Sequence, residues 1–316
     1  MDGGTFMRIS RRVKNVFEFT CGDWKCLVAP EYGGNLFRLC WKEHDLLRFP
    51  DQVSRLKETP ELYGIPVLFP PGRIDKGCFP FRGKTYFLPV NEPSRNVHLH
   101  GLALHRAWKL KEKDKNSFSL EMSYEACSPE FDGYPFPFSL KLRYVFSGSK
   151  LEQTLNVTND GPEDMPCGAG FHTVFLNPSK ICIPSRSYWE TPMPRLLGTG
   201  RRIPWGEGFR MDRPFSIADL PHSYNVEAPE GIHSGRFAFD FCTLEYVADE
   251  KFRIWCVWAP DSECGFLAAE PYTNFSGAFN APIPYGESGV FVLKSGETSS
   301  FRSFFRILPA GTFLDP

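Results

Sequence analysis

The 316 residues contain no C-x-x-C spacing, no apolar run of membrane-spanning length and no low-complexity tract. The ten cysteines, from Cys21 to Cys264, are scattered singly, which argues against a structural zinc site. Charge of one sign is also missing. Lys and Arg number 36 and Asp and Glu 37, a formal net charge of −1. That leaves no field for gathering nucleic acid or coating an anionic membrane, so neither partner is expected. Met1 to Phe19 carries charges throughout and lacks the apolar core of a secretory signal. Reduced thiols in a cytoplasmic protein are therefore expected, and no membrane association.

Helical periodicity is scarce, and alternation takes its place. Phe118, Leu120, Met122 and Tyr124 alternate with Ser117, Ser119, Glu121 and Ser123. Phe138, Leu140, Leu142, Tyr144 and Phe146 do the same, and Ser147-Gly148-Ser149-Lys150 turns the chain into Leu151–Val157 as a hairpin. Similar patterns cover Trp24–Ala29, Asn35–Trp41, Arg236–Phe241, Phe252–Trp258, Gly289–Lys294 and Ser300–Ile307. One apolar face per strand predicts an all-β fold of antiparallel sheets packed face to face. Aromatics at 15 %, with 30 Phe and 7 Trp, suit large β folds and carbohydrate sites alike. Ser54–Leu62 is the best short helix, interrupted by Pro60. Tyr63–Gly77 is too rich in Pro and Gly for a central strand, and should be irregular or lie at an edge. Between Asn177 and Pro229 eight prolines break the pattern, so a long surface excursion is expected, flanking a site. Strands on both sides of it suit one sandwich, a single domain over 1–316.

Four places invite chemistry. His98 and His100 lie in Asn96–Arg106, an extended stretch in which they would share one face. They suit hydrogen bonding, packing, or a cupin-like metal clamp, although Gly101–Trp108 offers no carboxylate to complete the clamp. His172, in Gly168-Ala169-Gly170-Phe171-His172, reads as a satisfied core histidine or as a proton donor with small neighbours that leave room for a ligand. Glu270 ends an apolar strand just before Pro271, which is expected to stop it. Buried, its pKa would rise toward a general base's range; otherwise it is an exposed strand-end acid. Arg73, after a turn, gains meaning only if it shares a pocket with the others.

Taken in order, these segments resemble a known family. Pro66-Val67-Leu68-Phe69-Pro70-Pro71-Gly72-Arg73-Ile74, Leu99-His100-Gly101 with Trp108, Gly170-Phe171-His172, and Glu270-Pro271 with Ala278-Phe279-Asn280 are similar to the aldose 1-epimerases, the galactose mutarotase family, in a divergent bacterial branch. The resemblance runs from about residue 20 to residue 308. It implies a β-supersandwich, a sugar substrate, and neither metal nor organic cofactor. By position it implies that His172 is the general acid, Glu270 the general base, and Arg73, His100 and Asp240 the sugar-binding groups. Gly72, Gly101-Leu102 and Thr173-Val174-Phe175 depart from the commonest family pattern. The implied reaction is exchange of α and β anomers through the open-chain aldehyde. Other readings are a hexose-6-phosphate 1-epimerase using Arg195, Arg201 and Arg202, a non-catalytic sugar-binding protein on the same fold, and a metal enzyme built on His98 and His100.

Overall fold

The alternating segments fold as the pattern predicts. The computed structural model describes residues 16–126, 133–231 and 233–313; Cys127 and most of Met1–Phe19 lie outside them. Phe138–Ser147 and Lys150–Asn159 pair antiparallel in full register, each burying alternate residues. They sit in an eight-stranded sheet ordered Lys109–Lys113, Ser117–Tyr124, Phe138–Ser147, Lys150–Asn159, Thr298–Leu308, Cys242–Ala248, Ser234–Phe239 and Lys180–Cys182. The last long strand thus lies at the middle of this sheet, between segments from both sides of the proline-rich stretch.

A second eight-stranded sheet has on its main path Arg202–Pro204, Ser187–Trp189, Tyr224–Glu227, Ile254–Trp258, Phe266–Tyr272, Gly170–Phe171 and Val67–Leu68. Val174–Leu176 also pairs with Phe266–Tyr272. The two sheets meet through aromatic contacts. Phe175 stacks on Phe237, and Tyr246 packs edge-on to Trp255. A smaller four-stranded sheet, Phe17–Cys21 to His44–Asp45, precedes them. Among the described residues, helix is limited to single turns. Arg55–Glu58 and the 3-10 turn Pro60–Leu62 fall where the sequence places a short helix broken at Pro60. Val67–Leu68 takes the predicted edge position.

Three expectations need correction. The segment 177–229 is not structureless: it forms Lys180–Cys182, Ser187–Trp189, Arg202–Pro204 and Tyr224–Glu227 and extends both large sheets. Strands of three or four residues between prolines are too short to register as periodicity. Pro271 does not stop its strand, which runs on to Tyr272. The neighbouring chain is broken there into Gly170–Phe171 and Val174–Leu176, so a missing N–H donor is tolerated at that point. His98 and His100 do not share a face. The strand Val97–Leu99 ends, and His100 takes a left-handed conformation with φ 64° that turns its side chain away.

Candidate active site

Phe266–Tyr272 is buried along its whole length, so its apolar residues face protein on both sides of the sheet. Glu270 is carried into this interior and is only 1 % exposed. The pairs Gly170–Tyr272 and Val174–Ala268 keep one register across the break in the neighbouring chain. That register sets His172 opposite Glu270. His172 Nε2 and Glu270 Oε2 are 3.3 Å apart. Cys256 pairs with Glu270 on the other side, and Asn225 pairs with Cys256 one strand further on. Polar side chains thus form a row across the middle of the sheet.

A cavity of about 230 Å³ opens over this row. His172, Glu270, Tyr272 and Cys256 form its floor, while Arg73 enters from the strand Arg73–Asp75 and His100 from just beyond its partner strand, Val97–Leu99. The His100 and His172 rings meet edge-to-face with centroids 5.1 Å apart. The structure therefore brings together four of the five predicted residues. Asp240 is the exception. It sits exposed in the two-residue turn between Ser234–Phe239 and Cys242–Ala248, in the other sheet, and is not among the cavity residues. Hairpin geometry needs a polar turn residue there, which accounts for an aspartate between aromatics. Ser223 and Asn225, from the proline-rich segment, line the cavity instead, as does Leu196.

The electrostatics follow from burial. Desolvation pushes Glu270 up to about 8, against the lowering effects of Tyr272, Cys256 and Arg73. Desolvation pushes His172 down to about 3. His100 also lies well below the ordinary histidine value, through burial and then the charges of His172 and Arg73. Arg73 grips Glu92 with two hydrogen bonds, Nε to Oε2 at 2.8 Å and Nη2 to Oε1 at 3.3 Å. Arg95 donates to the same carboxylate at 2.7 Å. Burial alone would raise Glu92, but these arginines outweigh it and hold the carboxyl below its usual range.

The small residues before His172 serve packing rather than a ligand. A Cβ on Gly170 would come within 2.7 Å of the Tyr272 ring, and one on Gly168 within 1.9 Å of Asn274 Oδ1. His98 is bound through Nδ1 to the Pro89 carbonyl at 2.7 Å and borders a different cavity. A metal clamp of His98 with His100 is not formed. Among the described residues, His100, His172 and Glu270 are the trio whose ligand-type atoms all lie within 4.8 Å of one another. Sequence reasoning missed Tyr272, Cys256, Ser223, Asn225 and the Glu92–Arg95 pair. Only Tyr272 left a signal: two residues beyond Glu270 on a strand, it must share its face.

Comparison with known proteins agrees with this fold. A galactose mutarotase-like protein from Clostridium acetobutylicum superposes with a TM-score of 0.83 at 24 % identity, over 93 % of this chain and 95 % of that one. An aldose epimerase homologue from C. elegans gives 0.81 at 15 %, covering 95 % and 100 %. Galactose 1-epimerase from Lactobacillus acidophilus gives 0.75 at 13 %, covering 94 % and 96 %. At these identities the likeness is one of fold. In sequence, the uncharacterized protein YihR of Escherichia coli K12 is 34 % identical over 108 residues, about a third of either chain. The profile of the aldose 1-epimerase family matches residues 25–306, nearly the whole of the paired strands and every residue of the buried row. On that match the chain belongs to the aldose 1-epimerase family.

Proposed function

We propose that this protein interconverts the α and β anomers of an unphosphorylated monosaccharide. The observation that carries the reading is the buried contact of His172 Nε2 with Glu270 Oε2 at 3.3 Å. Ring opening of a cyclic sugar must remove a proton from the C1 hydroxyl and deliver one to the ring oxygen. Both oxygens are bonded to C1, so the acid and the base must stand side by side. Glu270 takes the hydroxyl proton as His172 protonates the ring oxygen, and the C1–ring-oxygen bond breaks. The aldehyde turns about C1–C2, and the roles reverse on closure. Arg73 and His100 hold sugar oxygens and fix the ring over the pair.

The charge state supports these roles. With Glu270 raised to about 8 and His172 lowered to about 3, the resting pair holds one proton between those limits. Carboxylic acid with neutral imidazole has the same proton count as carboxylate with imidazolium. Transfer of that proton from Glu270 to His172 creates base and acid together, with no proton drawn from solvent. A pure binding protein gains nothing from so costly a pair, which disfavours the non-catalytic reading.

Two features support a small neutral substrate. The cavity, at about 230 Å³, is below the roughly 300–1,000 Å³ usual for drug-sized ligands. The arginines considered for a phosphate are committed elsewhere: Arg195 to Asp75, Arg201 to Glu190, and Arg202 to Glu227. None of the three lines the cavity, and Arg73 and Arg95 already share Glu92.

Anomer exchange measured by NMR on glucose, galactose and their 6-phosphates tests the proposal. Exchange of a free sugar is expected. Glu270→Gln and His172→Asn should each lower its rate by roughly 10²–10⁴. Wild-type turnover in either variant would sink the assignment. Faster exchange of a 6-phosphate would transfer it to the phosphorylated class. Sugar binding without exchange would return the protein to the binding class.

A further inference from the structure

The strand that carries Glu270 also carries Tyr272 two residues on, so both side chains lie on one face. The Tyr272 hydroxyl donates a hydrogen bond to Glu270 Oε2, the same oxygen that faces His172 Nε2. Tyr272 is 1 % exposed and its ring fills the space above Gly170, where a Cβ would come within 2.7 Å of Cδ1. The ring therefore has one seat, and the absence of a side chain at residue 170 provides it. Burial, and then the Glu270 carboxylate, keep the hydroxyl protonated far above neutral pH, so it stays a donor.

We propose that Tyr272 is a positioning residue for the anomer-exchange reaction: its hydroxyl anchors Glu270 Oε2 beside His172 and stabilises the carboxylate form, and Gly170 makes room for it. An unanchored carboxyl could rotate and present either oxygen to His172. Anchored, it keeps Oε2 beside His172, the distance the shared proton must cross, and leaves Oε1 for the sugar hydroxyl. A hydrogen bond to the carboxylate also makes it easier for the proton to leave Glu270 for the imidazole. Other groups act on the same carboxyl: Cys256 from the adjacent strand, His172 from the broken one, Arg73 across the cavity, and Tyr246 from the opposite sheet. Only Tyr272 fixes Oε2 by a hydroxyl donor on the same strand.

The inference rests on the anomer-exchange reading, and its test separates the two. Tyr272→Phe keeps the ring over Gly170 and removes only the hydroxyl. It should lower kcat by about 10–100-fold, the worth of one hydrogen bond to a charged group, with KM unchanged. Loss of the shared proton limits activity at high pH. Without the donor the carboxylate is less favoured, so the alkaline limb of the kcat/KM profile should move up by about one pH unit. Gly170→Ala, which leaves the hydroxyl but displaces the ring, should move the limb the same way. A limb that stays in place in Tyr272→Phe overturns the inference, whatever happens to kcat. A rise in KM with kcat unchanged also overturns it and makes Tyr272 a sugar contact. Absence of exchange in the wild type overturns both this inference and the function it serves. Exchange in the wild type that Glu270→Gln abolishes leaves the function standing on its own.

Discussion

Glu270 works against the fold at one pH and with it at another. Its folded pKa, about 8, lies above the ordinary carboxylate value. A group raised in this way contributes stability that is fully present below the unfolded value and is lost as pH rises through the folded one. His172 runs the opposite way: lowered to about 3, its contribution is present above the ordinary histidine value and is lost as pH falls. Glu270→Gln should therefore melt close to the wild type at pH 5 and a few degrees above it at pH 9, by calorimetry. An equal shift at both pH values would mean that the carboxyl is not buried in its neutral form. Arg73 answers a different measurement. Arg73→Ala should raise KM more than it lowers kcat, and an unchanged KM would remove it from the sugar. His100, His172, Glu270 and Arg73 were legible in the sequence because each stood in a short segment of unusual residue type. Asp240 was misread because a turn aspartate between aromatics looks like a site aspartate when only the chain is in view.

The strands of the fold divide by length. Long alternating strands such as Phe138–Ser147 and Lys150–Asn159 were legible, since ten residues repeat the pattern often enough to be recognised. The short strands of 177–229 were not, yet they bring Ser223, Asn225 and Leu196 to the cavity wall. Leu196 is held by its neighbour: Arg195 ion-pairs with Asp75 and donates to the Arg95 and Asn96 carbonyls at 3.1 and 3.0 Å. Ser276 Oγ adds a bond to the Leu196 carbonyl at 2.8 Å. Arg195→Ala should release this wall and raise KM for an unphosphorylated sugar several-fold, with kcat retained. A loss seen only with a 6-phosphate would instead give Arg195 a phosphate to bind.

Across the whole molecule, the last strand ties early and late segments into one sheet, and Phe266–Tyr272 does the same in the other. The largest apolar cluster draws residues from both sheets, and a smaller one of Val174, Phe266 and Ala268 lies beside it. Unfolding followed by calorimetry and by tryptophan fluorescence should give one coincident transition. Two resolved transitions would divide the chain into units that the shared sheets argue against. Among the described residues, no helix is long and apolar enough to cross a membrane.

The sequence by itself determined the all-β class of the fold and the candidate residues Arg73, His100, His172 and Glu270. Alternation is a local property, and so is the chemical type of a side chain. Only the tertiary structure decided how those groups meet. The register that sets His172 opposite Glu270 depends on a break in one strand and a tolerated proline in the next. The left-handed turn at His100 separates it from His98 and aims it at His172. The seat of Tyr272 over Gly170 joins residues about a hundred positions apart. Such contacts follow from pairing between distant strands, and no local pattern encodes them. Burial does the rest, because the pKa of a carboxyl is set by what surrounds it and not by its neighbours in the chain.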